Sequence, residues 1–188
     1  MKNLLSIIIT VFLFASCSPD SVLTEELVKK GDRFNTTMFY QGEPFDGIGL
    51  EVFRDGSVYK EIRYKSGIQD GLTKTYFKSG QLEYEEEFKN GRINGLLKAW
   101  FEDGTLRTEF TYDEGYLSGT AKTYYSNGQL ASKGQYEEGV PEGKFELWFE
   151  TGEFDSEVIY EDGEIKFVDG VLYEPKETIS ATPFNPNP

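Results

Sequence analysis

The sequence has no histidine and a single cysteine among its 188 residues, and it is short of positive charge. The lack of histidine excludes imidazole acid–base catalysis and histidine-ligated metal centres. One cysteine cannot form an intrachain disulfide, and its predicted acylation, argued below, would also remove it as a thiol nucleophile. With 19 basic against 33 acidic residues, the net charge of -14 repels phosphate groups. We therefore expect no nucleic-acid partner, no cofactor and no enzymatic activity.

Long apolar runs are also scarce, and the one present lies at the N-terminus. It extends from Leu4 to Ala15 behind a single positive charge at Lys2. This run is too short to cross a membrane but has the form of a secretory signal. Phe14-Ala15-Ser16-Cys17 follows and resembles a bacterial lipobox. Residues 1–16 are thus predicted to be a lipoprotein signal peptide, with acylation at Cys17; the alternative is a plain signal peptide with a chance cysteine.

Glycine, by contrast, is abundant and periodic. Fifteen of the 20 glycines fall on three series that each step by 24 residues. These series are Gly47, Gly71, Gly95, Gly119, Gly143; Gly56, Gly80, Gly104, Gly128, Gly152; and Gly67, Gly91, Gly115, Gly139, Gly163. A fixed period of this length predicts tandem structural repeats that stack on their neighbours.

Aromatic residues follow the same period. A ladder of large side chains stands four residues before each middle glycine: Val52, Tyr76, Trp100, Tyr124 and Trp148. The next residues form a second row: Phe53, Phe77, Phe101, Tyr125 and Phe149. Two further rows are Val58, Leu82, Leu106, Leu130, Phe154 and Tyr64, Phe88, Tyr112, Tyr136, Tyr160. Aromatic residues between glycine breaks favour strands, so each repeat is predicted to be a hairpin.

The turn of each hairpin is predicted at the middle glycines. Asp55-Gly56 and Asn127-Gly128 are typical of a two-residue type I′ turn, which would pair Phe77 with Leu82. A three-residue loop with a bulge would instead pair Tyr76 with Leu82. With the type I′ turn, the row that contains Phe77 is predicted to form the core together with the Leu and Tyr rows.

These residues carry a family resemblance. The segment Gly71 to Leu82, which reads GLTKTYFKSGQL, and its closing Phe88-Lys89-Asn90-Gly91 resemble the MORN-repeat variant of bacteria. The resemblance implies an all-β, elongated antiparallel sheet of stacked hairpins. Many bacterial members resemble the YwqK-type, antitoxin-like family, which implies a protein partner.

The repeat pattern sets the predicted boundaries. A tether and capping segment is predicted at 17–43, in which residues 26–31 could end a short helix, or Leu27 to Phe34 could form a hairpin through Gly31 that caps the first repeat. The five repeats are 44–67, 68–91, 92–115, 116–139 and 140–163. A partial repeat is predicted at 164–174 and a disordered tail at 175–188.

Two surfaces are candidate functional sites. Acidic runs such as Glu85-Glu86-Glu87 are expected to form a solvated face, with weak calcium binding as the functional exception. The ladder Tyr76, Trp100, Tyr124 and Trp148 is the candidate binding surface, flanked by lysines. These features predict a lipid-anchored repeat protein in the cell envelope, in the outer membrane of a Gram-negative bacterium. It would bind a protein, such as a basic toxin, or alternatively a surface glycan.

Replacing Cys17 by serine tests the anchor. Acyl chains contribute about 0.8 kcal/mol per buried CH₂, so Cys17→Ser should move the protein from the membrane fraction to the soluble periplasmic fraction. Detergent-phase partitioning of the two proteins measures this. If the variant partitions like the wild type, the lipoprotein prediction is wrong.

Overall fold

The computed structural model describes residues 19–31, 36–169 and 171–172, so the predicted signal peptide, Cys17 and the tail lie outside it. The described residues form sixteen strands and one short 3₁₀ helix, Thr24–Glu26. The strands are β1 Ser21–Leu23, β2 Val28–Gly31, β3 Thr36–Tyr40, β4 Glu43–Pro44, β5 Gly47–Val52, β6 Val58–Lys65, β7 Ile68–Tyr76, β8 Leu82–Lys89, β9 Arg92–Trp100, β10 Leu106–Asp113, β11 Tyr116–Tyr124, β12 Leu130–Glu137, β13 Val140–Trp148, β14 Phe154–Glu161, β15 Glu164–Val168 and β16 Val171–Leu172.

Thirteen of these strands form one long sheet, in which β5 to β16 follow each other in chain order. Every pair in that series is antiparallel. β1 pairs in parallel with β5 and forms the N-terminal edge strand of the sheet. The expected all-β fold of stacked hairpins is therefore confirmed. Each repeat contributes one hairpin to a single layer, because the described residues contain no helix long enough to cover the sheet and its strands are buried mainly against neighbouring strands.

A small second sheet, β2-β3-β4, lies at the N-terminal end. The short helix predicted as one alternative for residues 26–31 is wrong, since β2 pairs with β3 there. Phe45 is completely buried between the two sheets and packs with Val22 and Leu27. Tyr64, from the first hairpin, completes this cluster. The N-terminal segment thus covers one face of the first repeat.

The turn at the middle glycines differs from the predicted type I′ turn. Such a turn needs positive φ at both central residues, yet only the glycine of each pair has it, with φ of 84° to 88°. In the second repeat the Gly80 N–H donates to the Phe77 carbonyl and the Phe77 N–H donates to the Gln81 carbonyl. This is a three-residue loop with a glycine bulge. The Asp or Asn before the glycine accepts a hydrogen bond instead, as Asp103 does from the Thr105 N–H at 2.8 Å.

The type I′ turns lie at the other end of the hairpins, where the looser links were predicted. Ser66-Gly67 has φ of 49° and 74°. In the four later turns of this series, φ is likewise positive at both central residues. Asn90 is well suited to this conformation, while Glu114 and Glu138 adopt it at some cost. Glutamate gives no hairpin signal, so the sequence pattern pointed to the wrong end.

The loop type changes the register and the core. Tyr76 pairs with Leu82, the alternative considered from the sequence, and Thr75 pairs with Tyr84 across a bulge. The row that contains Phe77 therefore opens the turns instead of forming the core, and Phe149 is 50% exposed. The Leu row joins the ladder on one face of the sheet. The row that contains Tyr64 and Tyr112 lies on the opposite face.

Hydrogen bonds between consecutive type I′ turns fix the stacking. The Gly91 N–H donates to the Gln69 carbonyl at 2.8 Å, and the same bond recurs one and two repeats later. The carboxylate of Asp70 accepts from the Asn90 N–H at 3.2 Å. Each turn is thereby tied to the strand that begins the same repeat, which explains why no insertion interrupts the 24-residue period.

The inner face, defined here as the one that carries Ile62, Phe110 and Ala121, is built from residues of complementary size. One row crosses every hairpin: Gly49, Ile62, Thr73, Glu86, Leu97, Phe110, Ala121, Gly134, Phe145 and Val158. Phe110 is buried against Leu117 and Ala121. In the next repeat the sizes reverse, because Gly134 has no side chain and the Phe145 ring occupies that space. At these two places a large side chain fills the space that its small neighbour leaves, so that neighbouring strands fill one layer.

Exchanging sizes at this position tests the packing. Gly134→Phe alone should destabilise the protein by at least about 1 to 3 kcal/mol, because the new ring overlaps Phe145. Gly134→Phe combined with Phe145→Ala recreates the arrangement of Phe110 beside Ala121 and should recover part of that loss. Urea unfolding measures both. A double variant no more stable than Gly134→Phe would contradict this account.

Candidate functional site

The outer face of the sheet, opposite the inner face defined above, carries a continuous apolar row that we call the aromatic stripe. It consists of the cross-strand pairs Val52–Val58, Tyr76–Leu82, Trp100–Leu106, Tyr124–Leu130 and Trp148–Phe154. Neighbouring strands lie about 4.8 Å apart, so successive ladder residues are about 10 Å apart. The bulged loops place these pairs at the same end of every hairpin. The stripe therefore runs across the whole array.

The stripe is partly solvent-exposed along its length. Tyr76, Trp100, Tyr124 and Trp148 are all half-buried. Their burial comes from the sheet itself, as in the edge-on contact between Trp148 and Phe154 at 6.2 Å. No described element packs over this face across the repeats. The structure therefore keeps the four predicted ladder residues together, on one accessible surface.

A row of charged residues, called here the charge row, runs beside the stripe, and its charges alternate in sign from Glu61 to Lys122. It contains Glu61, Lys74, Glu85, Lys98, Glu109, Lys122, Lys133, Glu146 and Glu157. Lys122 Nζ lies 2.9 Å from Glu109 Oε1, and Lys98 Nζ lies 4.0 Å from the other carboxylate oxygen. Such half-exposed pairs contribute about 0 to 1 kcal/mol each. These ion pairs keep the face that carries the aromatic stripe hydrated. Because charges of both signs are present, the row has little net attraction for ions of either sign.

Two pKa values reflect this neighbourhood. Burial, together with the nearby charge and hydrogen bond of Glu61, raises the pKa of Tyr76. The hydrogen bond to Glu109 and its negative charge raise the pKa of Lys122. Both shifts keep these two side chains in their ordinary protonation state at neutral pH.

One acidic residue departs from the predicted solvated face. Glu86 lies on the inner face, between Thr73 and Leu97, whereas Glu85 and Glu87 point outward. Burial raises its pKa, and Lys60 offsets this only in part. Its negative charge in turn contributes to a raised pKa of Tyr112, whose main cause is burial. The sequence run of three glutamates concealed this difference, because alternate strand residues face opposite sides.

The described part of the chain contains no group of three or more acidic or cysteine side chains placed to hold a metal ion. Calcium binding stays a prediction from the sequence. Within the same residues, no helix is long and apolar enough to cross a membrane.

Comparison with protein families identifies the repeats. The family described as the MORN repeat variant matches residues 69–90, 93–114 and 117–138. These are three tandem copies of the unit strand, bulged loop, strand, in register with the 24-residue period. Three of the five repeats therefore match the MORN repeat variant in sequence. The hairpins at 44–67 and 140–163 share the geometry but lie outside the matches.

Comparison with curated proteins returned no match. Among solved structures, one described as "Crystal structure of GtfA/B complex bound to UDP and GlcNAc" is 15% identical and has a TM-score of 0.25. The alignment covers 78% of this chain and 28% of that one. A likeness this distant bears on neither fold nor function.

Sequence reasoning missed two components of the outer face. It assigned Leu82 and Leu106 to the core, although both pair with the ladder. It also noted only the lysines of the charge row. Glu61, Glu85 and Glu109 repeat every 24 residues, as the glycines do, and this period was a signal that could have revealed the row.

The position of Glu86 predicts a pH effect on stability. A folded-state pKa above the ordinary 4.5 means that the folded state binds more protons than the unfolded state between those two values. Stability should therefore fall as pH rises through this window, and the penalty should persist at neutral pH. Glu86→Gln should raise the melting temperature at pH 7 and lose this advantage below the unfolded pKa. Glu87→Gln, on the exposed side, is the control, and equal effects for both would contradict the assignment.

Proposed function

We propose that this chain is a non-catalytic repeat protein that binds a protein partner through the aromatic stripe of its outer face. MORN repeats are generally associated with binding and scaffolding. The observation that carries the proposal is the continuous half-exposed row of Tyr76, Trp100, Tyr124 and Trp148, which is not required to close the buried core. Tyrosine and tryptophan provide large contact areas at low entropic cost, as in binding hot spots.

The shape of the surface supports a protein ligand. The stripe extends over ten strands, from β5 to β14, and its length of about 40 Å suits an extended polypeptide or a flat protein surface. The charge row beside it supplies donors and acceptors of both signs for a polar rim. The proposal includes the lipid anchor at Cys17 and a location in the bacterial envelope, both supported by the N-terminal sequence. An antitoxin-like or immunity role is one form of this function.

The double variant Trp100→Ala/Trp148→Ala tests the proposal. Bait proteins immobilised on resin would be used to capture partners from an envelope extract, with quantitative mass spectrometry as readout. We expect partner recovery to fall at least about tenfold, the size of a hot-spot loss. The sheet signal in circular dichroism should persist, because half-buried side chains cost less than the about 3 to 5 kcal/mol of fully buried ones.

Tyr116→Ala is the matched control. Tyr116 is the most exposed large apolar side chain described, at 59%, and it lies at the opposite end of the hairpins from the stripe. It should leave capture unchanged. Equal recovery with all three baits would refute the stripe as the site. If only polysaccharide were retained in a stripe-dependent way, the surface would be a glycan-binding site instead.

A further inference from the structure

The last complete hairpin differs from the other four at its loop end. In the row that opens the loops, Phe149 is 50% exposed, whereas Phe53, Phe77, Phe101 and Tyr125 are half-buried. In the Leu row, Phe154 is 53% exposed, whereas the other four are half-buried. Both rows thus end in an exposed phenylalanine in the same repeat.

The cause is the short strand that follows. β15 runs from Glu164 to Val168, and the chain then turns back. Asp169 closes the pairing, because its N–H donates to the Glu157 carbonyl at 2.7 Å and its carboxylate accepts from the Glu157 N–H at 2.9 Å. The pairing of β15 with β14 therefore stops beside Glu157. The described residues provide no neighbour for the loop end beyond that point.

Charge is concentrated in this same hairpin. Residues 140–163 carry eight carboxylates and one lysine, a net charge of -7. The preceding repeats have net charges of 0, -2, -2 and 0 in chain order. Half of the net charge of the whole chain thus lies on the repeat whose phenylalanines are exposed.

Three of these carboxylates are neighbours of the exposed phenylalanines in the sequence. Glu150, Glu153 and Asp155 lie in or beside the loop between β13 and β14, and all are exposed. Among the described residues, no lysine or arginine lies within ion-pair distance of them. In the first repeat, by contrast, Lys78 of the next hairpin lies 3.6 Å from Asp55. That ion pair occurs at the first loop end, whereas the carboxylates at the fifth loop end have no ion-pair partner among the described residues.

We propose that this end of the array, formed by Trp148, Phe149, Phe154 and the three carboxylates, is the docking surface for a basic segment of the partner protein. The inference rests on the proposed binding function and locates its charged contact. Arginine and lysine fit because their aliphatic stems and guanidinium or ammonium groups pack on aromatic faces while reaching carboxylates. The negative field of the repeat would also accelerate the encounter.

Isotope-labelled protein, beginning at residue 17 with Cys17→Ser, would be titrated with a short peptide of alternating arginine and valine. The same peptide with glutamate in place of arginine is the probe control. We expect amide shift changes centred on residues 147–157 with the basic peptide only, and weaker binding at higher salt because the contact is exposed. Changes confined to repeats two to four would refute this inference while leaving the proposed function standing.

Matched variants separate location from overall charge. Glu150→Gln/Glu153→Gln/Asp155→Asn should weaken peptide binding at least about tenfold, a loss of about 1.4 kcal/mol. Glu114→Gln/Glu137→Gln/Glu138→Gln changes the net charge equally at exposed positions of the type I′ turns, outside the stripe and the charge row, and should change affinity less than about twofold. Phe149→Ser/Phe154→Ser should weaken binding like the first triple variant. Equal losses for the two triple variants would show non-specific attraction and overturn the proposal.

Light scattering of the free protein tests another occupant. If the protein self-associates and Phe149→Ser/Phe154→Ser makes it monomeric, a second copy covers this end and the basic-partner proposal is wrong. Failure of the stripe variant Trp100→Ala/Trp148→Ala to reduce capture would instead count against the proposed function. The two ideas therefore fail in different experiments.

Discussion

The structure depends on backbone hydrogen bonding between strands that are neighbours in sequence. From β6 to β15 every strand of the long sheet pairs with the strand before it and the strand after it. Beyond the N-terminal end, where the small sheet lies, no second described sheet packs against this layer. The repeats must therefore stack in register or lose their apolar contacts. The turn-to-strand bonds, such as Gly91 to Gln69, hold that register.

Two kinds of turn let the two faces differ. The type I′ turns join strands directly, whereas the bulged loops shift the pairing by one residue and turn the ladder outward. The inner face then packs by size, as in the exchange of Phe110 beside Ala121 for Gly134 beside Phe145. The outer face keeps its tryptophans and tyrosines partly accessible, balanced by ion pairs that contribute little to stability.

The ends of the array are treated unequally. At the N-terminal end, β1 and the small sheet bury Phe45 completely and cover the first hairpin. At the other end the last strand is short, and Asp169 ends the pairing beside Glu157. Stacked repeats bury each loop against the next one, so the fifth loop, which no described loop follows, exposes Phe149 and Phe154 where the equivalent side chains are half-buried. A surface that differs from its four counterparts arises simply from where the stacking stops.

The sequence by itself determined the period, the number of hairpins and the all-β class, because glycines at positive φ and aromatic rows recur at fixed spacing. It also identified the residues of the ladder. Only the tertiary structure decided the turn types, and with them which face each row occupies. Asp103 could adopt the positive φ of a type I′ turn, or its carboxylate could accept the Thr105 N–H, as it does in the bulged loop. It likewise separated the half-buried, inward-facing Glu86 from the outward-facing Glu85 and Glu87. It also separated the exposed Phe149 from the half-buried Phe101. These distinctions depend on strand alternation and on which neighbour is present, and neither is encoded in the local pattern of residues.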